Sequence, residues 1–280
     1  MIDLKKLKRI RNYESLMAEH EKLVSQKNHK LPSSNGIFHR YENPIITAAH
    51  LPIHWRYDLN ANTNPQGLER IGVNATFNAG AIKWRGKYVL AVRVEGYDRK
   101  SYFAFAESNN RVDNFNFWKH PLVLPQNGEK DINVYDMRLV EHQDGYIYWI
   151  FCTERKSRNT NNNTTSARAN AGIIRSRDMK SWERLPDLVS SSEQQRNVTL
   201  HPKFAEGKYA VYTRPLHGFI DIGTGGGIGF GLIDDMAKPV VSDEVIINPK
   251  RYHTIYEVKK WSGPLTNKNR RGLASYRPRC

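Results

Sequence analysis

A chain of 280 residues with 43 Lys and Arg against 28 Asp and Glu carries a formal charge of +15. Hydrophobic residues make up 39% of it and aromatic residues 11%, which is enough for a globular core and too much for a disordered chain. No apolar run approaches the roughly 18 residues of a membrane span, and two cysteines, Cys152 and Cys280, are too few for a disulfide framework or a cysteine metal site.

The first ten residues are basic with no apolar stretch behind them. That is not the pattern of a secretory leader, and a reducing cytoplasm is expected. The positive charge is uneven, because Lys259 to Cys280 hold seven basic residues and no acidic one. The rest of the excess suits an enzyme with an anionic substrate. A basic nucleic-acid-binding protein is the rival reading from another class, but no RNA- or DNA-binding motif supports it.

Tyr13 to Lys27 place Leu16, Leu23 and Val24 among Glu, Lys and Gln, which predicts an amphipathic helix with a narrow apolar stripe. The helix packs on the main domain or on a neighbouring subunit, so a homo-oligomer is possible. Leu31 to Gly36 is a loop by its turn residues. From Ile45 the pattern changes to short β-type runs.

Ala81–Trp84 and Lys87–Arg93 flank Arg85-Gly86 and read as a hairpin. Leu139–His142 and Tyr146–Phe151 flank Gln143-Asp-Gly145 in the same way. Pro202–Phe204 and Lys208–Thr213 flank Ala205-Glu-Gly207. The three turn glycines lie 59 and 62 residues apart, and Asn116-Phe-Trp118 is echoed by Lys180-Ser-Trp182. A repeat of about 60 residues, each of several short strands, points to an all-β propeller rather than a sandwich.

Chemistry-bearing residues cluster at the ends of these strands. Asn74 and Asn78 precede one hairpin, and Arg93, Asp98 and Ser101 follow its second strand. Asn133, Asp136 and Arg138 precede the next hairpin, with Glu154 and Arg155 after it. Arg175, Arg196, Asn197 and His201 continue the series. Singly, each reads as a solvated strand end. Together, amides and acids suit the hydroxyls of a sugar, and arginines suit a phosphate through bidentate hydrogen bonds.

Gly223-Thr-Gly-Gly-Gly-Ile-Gly-Phe-Gly231 lacks the Gly-Lys-Ser/Thr ending of a phosphate loop and is read as close backbone packing near the ligand. His50, His54 and His201 lack ligand spacing and are read as packing or hydrogen-bonding residues, with no metal site. Ser157 to Ala171, rich in Asn, Thr and Ala, reads as a polar loop.

An ordered series of motifs carries a family resemblance: Thr47–His50, Trp55–Leu59, Asn74–Gly80, Arg93–Gly96, Asn133–Leu139, Trp182–Asp187, Gln195–Asn197 and Gly218–Asp221. From about Ile37 to Lys259 the sequence resembles glycoside hydrolase family 130. The resemblance implies a five-bladed β-propeller. It also implies an inverting phosphorolysis, in which phosphate attacks the anomeric carbon of a β-mannosyl unit and α-mannose 1-phosphate is released with glucose. Asp136 stands at the position of the family's general acid, which acts through a mannose hydroxyl. Phosphate is the nucleophile, so the second carboxylate of an ordinary inverting glycosidase is not required. The expected phosphate-binding residues are Arg155, Arg175, Arg196 and Asn197. Asn74, Asn78, Arg93 and Asp98 are expected in the mannosyl pocket, and Arg56 and Asp58 on the glucose side. No cofactor is expected. A β-mannoside hydrolase of the same fold is the nearer alternative.

The resemblance stops at the tail. Lys260–Pro264 can be encoded by codons that, read one base out of register, give Asn-Gly-Leu-Gly, and Leu273–Cys280 by codons that give Trp-Leu-His-Ile-Ala-His-Gly, which resembles the family's continuation. The expectation is a base inserted in the adenine run encoding Lys259-Lys260. A genuine basic interaction tail is the alternative. On this reading residues 1–36 are a helical extension, 37–259 a partial propeller and 260–280 an aberrant tail. About three blades plus part of a fourth are then expected, with no activity from this chain by itself.

Overall fold

The computed structural model describes residues 13–32, 38–60, 62–70, 72–128, 130–156, 167–192, 194–216, 228–247, 258–260 and 276–278. They hold helix α1 (Tyr13–Val24), a 3-10 turn at Ala48–His50 and a single-turn helix α2 (Ile53–Arg56). The strands are β1 (Val73–Trp84), β2 (Lys87–Gly96), β3 (Ser101–Ser108), β4 (Asn116–Phe117), β5 (Asn133–Glu141), β6 (Ile147–Lys156), β7 (Ala167–Ser176) and β8 (Glu183–Leu185). They continue with β9 (Gln194–Gln195), β10 (Thr199–Ala205), β11 (Lys208–Thr213), β12 (Pro215–Leu216), β13 (Ile228–Ile233), β14 (Ser242–Ile247), β15 (Val258–Lys260) and β16 (Tyr276–Pro278).

Three four-stranded sheets account for most of these: β1-β2-β3-β4, β5-β6-β7-β8 and β10-β11-β13-β14. Each strand lies beside the next in its sheet's chain order, the up-and-down pattern of a propeller blade. β9 with β12, and β15 with β16, form two-stranded pieces.

The hairpins fall where the turn residues put them. Arg85-Gly86 (φ 47° and 83°) and Glu206-Gly207 (φ 53° and 76°) keep both central residues at positive φ. That is the two-residue turn whose twist matches antiparallel strands, and glycine enters its second position without steric cost. Asn116-Phe-Trp118 and Lys180-Ser-Trp182 also do equivalent work. Trp118 packs on Phe105 (4.7 Å) and Trp182 on Trp149 (4.4 Å), each closing the last strand onto its sheet.

The chain divides into two compact units, residues 1–77 with 83–121, and residues 78–82 with 122–280. In the first, Leu51, Val92, Val94, Ala104, Ala106 and Phe115 form the core. Helix α1 buries Leu16 against Ile53 and Tyr57. The helix ends at Val24, three residues short of the span its pattern predicts, and Leu23 and Val24 stay partly exposed.

In the second unit β6 is buried almost throughout, from Ile147 to Thr153. Its apolar run Ile147-Tyr-Trp-Ile-Phe-Cys152 reflects cover on both faces. Each large side chain fully buried there contributes about 1.5–3 kcal/mol. Val140, Tyr148, Ile150, Ile173, Leu185, Leu200, Val211 and Ile233 join two sheets of this unit in one core. The β5–β6 turn pins them further: Gln143 N donates to Pro202 O (3.0 Å), and Tyr209 Oη donates to Asp144 Oδ2 (2.9 Å).

One expectation is corrected. Ala167–Ala171 is strand, not loop, because β7 pairs with β6 along its whole length, from Lys156↔Ala167 to Ile147↔Ser176. The alanines are small enough to lie beneath a packed neighbour, and Ala169 and Ala171 are fully buried. The rest of the expected loop, 157–166, lies outside the described residues, as does most of the basic tail.

Candidate active site

Asp136 owes its position to a break in a ladder. β5 pairs with β6 in regular register from Glu141↔Ile147 to Arg138↔Ile150, and again at Tyr135↔Cys152. Between these, Asp136 and Met137 oppose the single residue Phe151. This is a β-bulge, a device that re-aims a side chain out of the pleat. Asp136 takes φ 58° there. Asp and Asn tolerate this left-handed region best among residues with a side chain, at about 1 kcal/mol.

The bulge is gripped by a segment of β1. Asn78, itself at φ 48°, donates its Nδ2 to Asp136 Oδ1 at 3.1 Å. Arg138 donates Nη1 to the carbonyl of Asn78 (3.1 Å) and to that of Met137 (3.0 Å). Gly80 passes so close that a Cβ there would stand 2.3 Å from Met137 O. Burial lowers the pKa of Arg138, and the charge of Asp136 opposes this.

Beneath the bulge lies Cys152. Burial pushes its thiol up to about 11, so the neutral form prevails at neutral pH. It accepts from the backbone N–H of Asn197 (3.4 Å), and Asp136, Arg138 and Arg196 act on it electrostatically. Asn197 is a third left-handed residue, at φ 52°. Tyr135, also buried, is raised in pKa by burial and then by Cys152, and it is hydrogen-bonded to Glu154. Two pairs distant in sequence, Asp136 with Arg138 and Arg196 with Asn197, are thus gathered around one buried thiol.

Farther along the same sheet a cleft of about 550 Å³ is lined by residues including Asn127, Arg155, Arg168, Asn170, Arg184, Asp187 and Gln195. A lattice of opposite charges forms its wall. Arg155 pairs with Asp131 (2.9 Å) and Asp187 (2.7 Å), and Arg184 pairs with Asp187 (3.0 Å). Burial works against the charge of Arg155, but the charge of Asp187 and the bonds to Asp131 outweigh it, so its pKa is raised.

Arg155 and Arg175 were expected together, and the structure does not bring them together. Arg155 stands opposite Arg168 across the β6–β7 ladder, and Arg175 stands opposite Tyr148. Arg175 lies seven steps along the unbroken strand from Arg168. An odd count puts them on opposite faces, about 23 Å apart at the usual rise. Arg175 instead pairs with Glu183 (2.8 Å) and lies over the ring of Tyr146. Arg168 is the arginine that sequence reasoning missed. The signal was the period of two from Arg168 through Asn170 to Gly172, obscured because this stretch read as loop.

The first unit holds its own polar cluster, centred on Glu95. Asn74 Nδ2 donates to Glu95 Oε1 (2.7 Å), Arg93 Nη2 to Oε2 (3.2 Å) and Arg99 Nη1 to Oε1 (3.1 Å). Arg93 also donates to Ser101 Oγ (3.0 Å) and lies over the ring of Phe77. Burial raises the carboxyl of Glu95, and the bonds from Arg99 and Asn74 with the arginine charges outweigh it, leaving its pKa below the ordinary value. Asp98 is not in this cluster. It accepts from Lys100 N (3.0 Å) and shapes the β2–β3 turn. Asp58 likewise organises its own loop through Asn60 N and Thr63 Oγ1, and Arg56 is paired with Glu69 (2.6 Å).

In the glycine-rich run, Gly229 lies against Thr213 and Glu244 in β13, and residues 217–227, with Gly218–Asp221, fall outside the described residues. Among the described residues no group of three or more His, Cys, Asp or Glu could hold a metal ion. No described helix is long and apolar enough to cross a membrane.

No protein-family model matches the chain. Over 250 residues it is 58% identical to the 4-O-β-D-mannosyl-D-glucose phosphorylase of Bacteroides fragilis, a match covering 89% of this chain and 64% of that protein. The chain is similar to that phosphorylase along most of its length and resembles glycoside hydrolase family 130. It spans less than two thirds of that relative's length. Solved structures of mannoside phosphorylases share the fold. The β-1,2-mannobiose phosphorylase of Listeria innocua, solved with β-1,2-mannobiose, superposes at a TM-score of 0.58 with 15% identity, over 87% of this chain and 73% of that one. A structure from the GH130 family of mannoside phosphorylases, described with glycoside hydrolases that target β-1,2 mannosidic linkages in Candida mannan, gives 0.56 with 18% identity, over 81% and 65%. The three four-stranded sheets are therefore blades of a five-bladed propeller-type family 130 fold.

Proposed function

We propose that this protein cleaves β-1,4-mannosyl-glucose with inorganic phosphate, giving α-mannose 1-phosphate and glucose. The observation that carries this reading is the 58% identity to a mannosylglucose phosphorylase across 89% of the chain.

In this reading Asp136 is the general acid. Its proton passes through a mannosyl hydroxyl to the glycosidic oxygen, while phosphate attacks the anomeric carbon from the opposite face. The bond from that carbon to glucose breaks as the bond to phosphate forms. Arg155 and Arg168 supply the cationic wall for phosphate, with Arg196 and Asn197 nearer to Asp136. The carboxylates of Asp131 and Asp187 hold the Arg155 guanidinium in a fixed orientation on the cleft wall. Asn74 and Arg93, with Glu95, are assigned to the sugar. The donor set suits an anion and hydroxyls, and phosphate enters as a substrate, with no cofactor required. The protein is placed in the cytoplasm, with a mannosyl disaccharide and phosphate as partners. Nucleic acid has no role, and α1 is a face through which a homo-oligomer could form.

The test uses the protein expressed from its own gene, incubated with β-1,4-mannosyl-glucose in phosphate and in phosphate-free buffer. Phosphorus NMR should show α-mannose 1-phosphate only with phosphate present. Release of mannose at equal rates in both buffers would instead favour a β-mannoside hydrolase.

A further inference from the structure

Asn78 was expected to bind the mannosyl ring, but its amide is directed elsewhere. Its Nδ2 donates to Asp136 Oδ1 at 3.1 Å, and its backbone carbonyl accepts from Arg138 Nη1 at 3.1 Å. Its own backbone is held at φ 48°, a conformation that persists only where the surroundings impose it. Those surroundings are the Arg138 clamp and the approach of Gly80 to Met137 O. Two left-handed residues from separate strands are thus joined side chain to side chain.

We propose that Asn78 is a positioning residue for Asp136. By donating an N–H to Oδ1, it holds that oxygen in place. Asn78 thereby fixes the rotation of the carboxyl from which the proton leaves. This rests on the proposed role of Asp136, but the contact can be tested without it.

The experiment is a double-mutant cycle of Asn78→Gly and Asp136→Gly. Glycine accepts positive φ, so each variant removes a side chain without backbone strain. Two quantities are read: phosphorolysis kinetics and the urea unfolding constant. The expected result is that Asn78→Gly lowers kcat roughly 10- to 100-fold, as for a misoriented acid, with KM for the disaccharide within about twofold. The double variant should then be no slower than Asp136→Gly alone. In unfolding, the two changes should be coupled by about fivefold or more. A rise in KM with kcat unchanged would make Asn78 a sugar ligand and overturn the proposal. Additive effects on unfolding would overturn the contact itself. If the parent chain shows no phosphorolysis, as the expected truncation implies, the unfolding cycle alone decides whether Asn78 holds Asp136.

Discussion

Arg155 Nη1 and Asp187 Oδ2 lie 2.7 Å apart, with 8% and 11% of their side-chain surfaces exposed. A pair this buried is costly to break, because the surviving charge keeps its desolvation penalty. Asp187→Ala takes one carboxylate from both Arg155 and Arg184 and leaves them to share Asp131. It should destabilise the chain by about 3 kcal/mol in urea unfolding. A loss below about 0.5 kcal/mol would mean that the lattice is solvated and exerts no such hold.

The two faces of β7 make opposite predictions for two arginines. Arg168 lines the cleft with Arg155, whereas Arg175 is engaged with Glu183 on the other face. Loss of a charged hydrogen bond to phosphate is worth about 1.5–3 kcal/mol, or roughly 10- to 100-fold in affinity. Arg168→Ala should therefore raise KM for phosphate by about that factor, and Arg175→Ala should leave it within about twofold. Steady-state kinetics with varied phosphate would decide, and the reverse ranking would reject the register argument.

His142 gives the fold a pH dependence. Its ring is buried against Phe204 (4.6 Å) and Tyr209 (4.8 Å), with Nδ1 3.2 Å from Asp144 Oδ1. Burial lowers its pKa below 6.5, with Asp144 opposing and His201 assisting. The unfolded chain therefore takes up the proton first as pH falls. The contribution is complete above about 6.5 and is lost as pH drops toward the folded value. His50 shifts in the same direction, chiefly through burial, so the slope rather than the level is diagnostic. His142→Gln should flatten the fall in stability on the acid side of about 6.5, by at most about 1.4 kcal/mol per pH unit. An unchanged slope in denaturation midpoints across that range would show that His142 protonates freely when folded.

Much of this architecture was legible because local rules and packing agree. Arg85-Gly86 and Glu206-Gly207 demand positive φ, and the turns formed where they stand. The run Tyr146–Phe151 announced the second strand of its hairpin, and the structure covers it on both faces. Asp136 could be singled out by its motif, but not its bulge, which depends on how Phe151 on the neighbouring strand is paired. What failed had a common cause: composition reports residue type and not face. Ala167–Ala171 looked polar and loop-like among Asn and Thr, so the strand and the placing of Arg168 were hidden. Asp98 and Glu95 were equivalent acids in sequence. Only the fold shows that Glu95 receives Asn74, Arg93 and Arg99 while Asp98 serves its turn.

The account turns on Asp136 as the proton donor, and its replacement by the isosteric amide tests this most directly. Asp136→Asn, made in the protein expressed from its own gene, should lower kcat for phosphorolysis of mannosyl-glucose by about 10²–10⁴-fold. Disaccharide binding and the unfolding midpoint should stay close to those of the parent. A variant that retains kcat within about tenfold would contradict the assignment and move the acid to another residue.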